Sequence, residues 1–316
     1  MPSPVSVTLR RADSPDRRVR TVLAIGQVKI RARYPQVRRL LASADTTLPD
    51  AERLRQVSQA RRVFNPFYTP MVIASWRPIA DILVANGIAK PISPKLYGLD
   101  MAKLTQLMLA KKKWKELKDS AGYDVSRSVL VSTTDLRRSN SGAMYLALTS
   151  HALQGDVVTD RATAQQVSLK LAELFKRQGY QENYVDGNFD DYVSIGIGKT
   201  PMAFIYENQI VKFALAKKGV ANDMVLMYPQ PTIVNKVVFV SMNERAKALG
   251  ELLGNDAELQ GIAVEYGFRI ADTDRFVSTV KATGLAVEPR VTQVVDPPSF
   301  EIMAEMIDVV AKEMSQ

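Results

Sequence analysis

From Phe64 onward, short apolar runs alternate with longer stretches whose apolar positions recur every three to four residues. This rhythm constrains the fold more than any other feature of the chain. Strand-like runs are Pro70–Ala74, Ser128–Val131, Pro201–Tyr206, Ile210–Phe213, Met224–Tyr228 and Lys236–Ser241. Helical stripes are expected from Trp76 to Val84, Leu99 to Leu117, Gly142 to Leu153, Ala162 to Arg177, Glu244 to Leu253, Asp256 to Tyr266 and Phe300 to Met314. Pro78 falls in the first turn of its helix, where a missing N–H costs little. Asp100 and Ser299 stand where amino caps belong, and Gly179 where a carboxyl cap does. Strands interleaved with helices imply an α/β architecture with a mixed, mostly parallel sheet and helices on both faces.

At 316 residues the chain is long enough for two lobes. No apolar run reaches the length of a membrane span. Cysteine is absent, which excludes disulfides, thiol catalysis and zinc–thiolate sites, and a single histidine, His151, excludes a multi-His metal site. His151 is read as a surface residue at a helix end. The net charge of +9 is confined to residues 1–63, which hold 14 basic and five acidic residues, whereas the remainder holds 28 of each. The basic segment prefers Arg to Lys by 13 to one and contains one aromatic residue, Tyr34. Three readings of it stand: a basic arm, a solvated segment, or text from a displaced reading frame. No signal peptide is read at its start.

The densest polar chemistry lies where the Ser128–Val131 run meets the next helix. Ser132, Thr133, Thr134, Asp135, Ser139, Asn140 and Ser141 stand within ten positions, with Arg137 and Arg138 among them. In α/β sheets, ligands bind at the carboxyl ends of strands and face helix amino ends. There, first-turn N–H groups lack intrahelical partners and the helix dipole favours an anion. A cap needs one such residue, so the surplus points to a bound polar group. Tyr206, at the end of its strand, can offer a phenol to the same place. Ser194-Ile195-Gly196-Ile197-Gly198-Lys199-Thr200 resembles a phosphate-binding loop but fails, because Val193 stands where glycine is required and a strand follows. It is read as a tight turn that leaves Lys199 near a cleft, and Asp190 and Asp191 are read as a solvated loop. No poised acid–base pair is evident, and the reading includes no catalytic residue, cofactor or metal.

Three segments together resemble one family. They are Ser132-Thr133-Thr134-Asp135 with Ser139-Asn140-Ser141-Gly142-Ala143-Met144-Tyr145, then Thr200 to Glu207, then Met227-Tyr228-Pro229-Gln230-Pro231-Thr232. Over residues 64–316 the chain resembles bacterial extracellular solute-binding proteins of the type 2 periplasmic binding fold, which includes molybdate-, sulfate- and phosphate-type receptors. The resemblance implies two α/β lobes joined by crossing strands, with a hinge and an interlobe ligand cleft. Residues 1–74 would form the start of lobe one, 75–225 lobe two, and 226–316 the return crossover and the rest of lobe one. It further implies ligand contacts from Ser132, Thr133, Thr134, Asp135, Ser139, Asn140, Ser141 and Tyr206. The expected ligand is a small polar or anionic solute, and the expected partner is the membrane permease of an ABC importer. The chain would be a monomer, periplasmic or extracellular and membrane-associated. The departure is at the start, where only Val5–Leu9 resembles the family's first lobe. A competing reading is an intracellular effector domain behind a DNA-binding segment. Residues 1–63 show no clean two-helix apolar pattern before Arg38, so nucleic acid is not an expected partner.

Overall fold

A computed structural model describes residues 62–217, 219–241 and 244–315. The N-terminal expectations, Val5–Leu9 and the Arg-rich segment to residue 61, lie outside the described residues. The fold is α/β with a mixed sheet. The strands are β1 (Arg62–Trp76), β2 (Ala89–Ser93), β3 (Leu96–Asp100), β4 (Met202–Tyr206), β5 (Met224–Gln230) and β6 (Val234–Ser241). The helices are α1 (Arg77–Ala85), α2 (Met101–Leu109), α3 (Asn140–Gln154), α4 (Arg161–Lys176), α5 (Val185–Ser194), α6 (Glu207–Lys217), α7 (Glu244–Asn255), α8 (Ala257–Glu265), α9 (Thr273–Lys281) and α10 (Phe300–Met314).

The chain divides into two compact units. In the smaller unit, which among the described residues holds 62–69 and 235–276, the first half of β1 lies with β6. Ser241 Oγ donates to the Arg62 carbonyl at 3.0 Å, and the Phe64 and Phe239 rings are 6.2 Å apart. Tyr68 and Arg269 exchange backbone hydrogen bonds of 3.1 and 2.9 Å, and the buried Arg269 guanidinium lies 4.9 Å from the Phe276 ring centroid.

The larger unit comprises Pro70–Val234 and Val277–Gln316. Its strand order is β2-β3-β5-β1-β4. Met71, Val72, Ile73 and Ala74 of β1 are fully buried, the unbroken apolar run of a strand covered on both faces. The expectation of a mostly parallel sheet is corrected. β1 runs antiparallel to both β4 and β5, β2 runs antiparallel to β3, and only β3 and β5 are parallel among the named strands. The β2–β3 hairpin, with a short turn at Pro94 and Lys95, is what brings antiparallel pairing to that edge.

Three further expectations change. Ile210–Phe213 is not a strand but the middle of α6, whose buried residues Glu207, Ile210, Val211 and Ala214 follow helical spacing. The Leu99–Leu117 helix stops at Leu109; Asp100 caps its start by accepting from Lys103 N, but Lys111 has a φ of 56° that no helix continues. Beyond it, Trp114 is buried in a 3-10 turn with its ring edge-on to Tyr123. Ser128–Val131 makes only isolated bridges on either side, Lys113 to Ser128 and Ser132 to Ala203, the second parallel to β4.

The sequence reading placed residues 226–316 with the first lobe. Among the described residues, 235–276 fall in the unit that holds residues 62–69, and 277–315 fall in the larger one. α10 instead packs on α4, with Lys176 Nζ 3.0 Å from Glu313 Oε2.

Candidate functional site

The eight residues singled out in the sequence all lie in the larger unit, but the fold separates them by task. α3 begins at Asn140, with Ser139 extended before it (φ −131°). Ser139 sits in the cap position, yet its hydroxyl does not cap the helix. It lies 3.0 Å from Ser141 Oγ, which in turn lies 2.6 Å from Thr134 Oγ1. All three hydroxyls are buried and satisfy one another. A Cβ on Gly142 would stand 2.4 Å from the Thr134 carbonyl and 2.7 Å from Leu136 Cα, so glycine is what lets the 134–136 backbone close on the first turn. Thr134, Ser139 and Ser141 therefore hold the corner together.

Asp135 is also spoken for. Its Oδ1 accepts from the Arg137 backbone N–H and from Arg137 Nε, both at 2.9 Å, and its Oδ2 accepts from Arg137 Nη2 at 2.6 Å. The Arg137 side chain beside it holds the carboxyl below its ordinary range, against the opposing effect of burial.

Asn140 and Tyr206 do meet. Asn140 Nδ2 donates to Tyr206 Oη at 2.8 Å, joining the first residue of α3 to the last of β4. Next to Tyr206, the fully buried Glu207 accepts from Tyr228 Oη on β5. Gln209 Oε1 accepts from Tyr206 N at 2.9 Å, while Gln209 Nε2 donates to Asp186 at 3.1 Å. The carboxyl ends of β4 and β5 thus carry a hydrogen-bonded phenol, amide and carboxylate beside a helix amino end that lacks a side-chain cap. No family model and no curated protein matches this chain.

Ser132 and Thr133 face elsewhere. They line a cleft of about 300 Å³ formed by residues 127, 128, 130–133, 177, 178, 180–182, 188, 191 and 199–201. Ser132 Oγ donates to Asn188 Oδ1 at 2.6 Å, and Asn188 Nδ2 donates to the carbonyls of Ser132 (3.0 Å) and Phe204 (3.1 Å), so this buried asparagine ties the edge segment to β4. Thr133 donates from N and Oγ1 to Gln178 Oε1 at 2.9 and 3.1 Å. Asp190 and Asp191, read as a solvated loop, belong to α5. Asp191 binds Lys199 at 2.6 Å, and burial, the largest influence, raises the Asp190 carboxyl. The Gly196 turn (φ +80°) closes with Thr200 N donating to the Gly196 carbonyl at 2.9 Å and sets Lys199 on the cleft wall. Sequence reading misses Arg127, the close group Arg177, Gln178 and Gln181, and Asn188, which only the fold brings to one cleft.

His151 lies in the last turn of α3, half-buried, and desolvation holds its imidazole below the ordinary value. Among the described residues no group of three or more His, Cys, Asp or Glu could hold a metal, and no helix is long and apolar enough to cross a membrane.

Proposed function

We propose that the chain is the solute-binding component of an ABC-type importer, working outside the cytoplasmic membrane as a monomer that captures a small polar or anionic solute and delivers it to a membrane permease. The observation that carries this reading is the amino end of α3. Its cap residue spends its hydroxyl on Ser141, and Asn140, the first helical residue, is fixed against the Tyr206 phenol at the end of β4. First-turn N–H groups and the helix dipole favour an anion at such a place, and strand carboxyl ends are where α/β sheets hold ligands. The two-lobe arrangement, with hinge closure on the solute, belongs to the same proposal.

A thermal-shift screen of oxyanions and small polar metabolites on the full chain tests it. A ligand at a hundred times its Kd adds about 2.7 kcal/mol to stability. Asn140→Ala combined with Tyr206→Phe is expected to abolish that shift. Ser141→Ala is the contrast: it strips the buried Thr134 hydroxyl of its partner and lowers unliganded stability by about 1–3 kcal/mol. Full retention of the shift in the Asn140/Tyr206 double variant, or no shift from any compound, would sink the reading.

A further inference from the structure

The cleft beside Ser132 and Thr133 contains an unresolved hydrogen-bond account. Gln178 Oε1 accepts from Thr133 N and Gln181 Nε2 (2.9 and 3.1 Å), and shares the single Thr133 hydroxyl proton, at 3.1 Å, with the Thr134 carbonyl at 3.2 Å. A backbone N–H can only donate, so the amide cannot be turned around, and the Nε2 end is committed away from Thr133. Gln178 Nε2 then has no partner among the described residues, and neither does Gln181 Oε1 nor Arg177 Nη2, although all three atoms are buried. Of the seven buried side-chain polar atoms without partners among the described residues, these three lie on residues lining one cleft. Folded proteins leave few such atoms, because each forfeits its hydration without return.

The charges point the same way. Arg127 Nη1 donates to the Gly198 carbonyl at 2.8 Å and Arg177 Nη1 to the Met108 carbonyl at 2.6 Å, both neutral acceptors. Neither guanidinium has a carboxylate within ion-pair distance among the described residues, whereas Lys199 is neutralised by Asp191. Glu182 also lines the cleft but makes no ion pair with either. Two guanidinium groups without an ion-pair partner among the described residues, beside an idle amide donor, suit a carboxylate, whose two oxygens match a planar fork. The idle Gln181 Oε1 requires a donor on the same ligand. A cleft of about 300 Å³ has room for a small organic acid.

We propose that this cleft is a second binding site, which takes a small carboxylate that also carries a hydroxyl group. It is separate from the amino end of α3 and stands whether or not that end binds a solute.

Titration of the full chain with glycolate, acetate and sulfate tests the site, followed by calorimetry and by the side-chain amide resonances of Gln178 and Gln181. Glycolate is expected to saturate with a Kd on the order of 1 mM, the affinity that a few charge-assisted bonds sustain. Both glutamine amides should shift along the same isotherm. Acetate, lacking the hydroxyl, should bind about tenfold more weakly, and so should glycolate to Arg127→Ala, whose side chain sits at the surface. Asn140→Ala should leave the glycolate isotherm in place. Glutamine resonances that stay still up to about 10 mM glycolate, roughly ten times that Kd, would overturn the site on the unmodified protein. Acetate binding as tightly as glycolate would overturn the role given to Gln181, and sulfate displacing glycolate with higher affinity would overturn the carboxylate assignment.

Discussion

Asp135 shows how one residue can look like a ligand contact in sequence and prove to be a structural pair. Its carboxylate is nearly enclosed, and Arg137, two positions on, grips both oxygens. A carboxyl whose folded value is lowered adds stability that is complete above the unfolded value near pH ~4 and fades as pH falls through the folded value. Asp135→Asn is therefore expected to flatten the acid limb of the stability–pH curve below about pH 4 while changing its slope little near neutrality, as chemical denaturation at stepped pH would show. A curve as steep as that of the parent would mean that the pair contributes nothing. The residue types at this corner were legible, because nine polar positions in ten are conspicuous. Their division of labour was not. Whether Ser141 turns to Thr134 or to a ligand depends on where residues 134–136 pass, and only the Gly142 contact fixes that.

Among the elements, α3, α4, β4, β5 and α10 were readable from apolar spacing and caps, and the structure places each within a few residues of its expected bounds. Failures have local causes. The β-branched pair Ile210 and Val211 suggested a strand, while the fuller spacing Glu207, Ile210, Val211, Ala214 already described a helical face. α5 went unseen because Gly187 and three aspartates weaken its propensity. It is held by packing that no local signal announces: Tyr192 lies 4.7 Å from Trp76 and Phe189 5.9 Å from Phe213, ring to ring. The β2–β3 hairpin carries Pro91 and Gly98, both poor strand formers, and forms through its pairing. At this scale Gly142→Ala is the decisive substitution. Its methyl would meet backbone and not a yielding side chain, so α3 and the 134–136 segment must part. A loss of about 1–3 kcal/mol is expected from the overpacking, read as a lower melting temperature. An unchanged melting temperature would show that the corner has slack.

Over the whole molecule, each compact unit is assembled from separated stretches of chain. α10 supplies the larger unit with Ile302, Met303, Met306 and Val310, all buried. It covers α4, whose own buried face includes Val167, Leu171 and Leu174. Full burial of such side chains is worth about 1.5–3 kcal/mol each, so this one contact rivals the net stability of an ordinary domain. Truncation after Ser299 is expected to abolish cooperative unfolding of the larger unit and expose apolar surface to a hydrophobic dye. A truncated chain that still melts sharply at the parent temperature would contradict that importance.

The order of synthesis makes the same helix pairing a matter of timing. A ribosome releases the apolar flank of α4 well before Phe300–Met314, the segment that shields it. Nascent chains must stay apart from one another throughout that interval. The α4 flank is the apolar surface that such a chain leaves uncovered until α10 follows it.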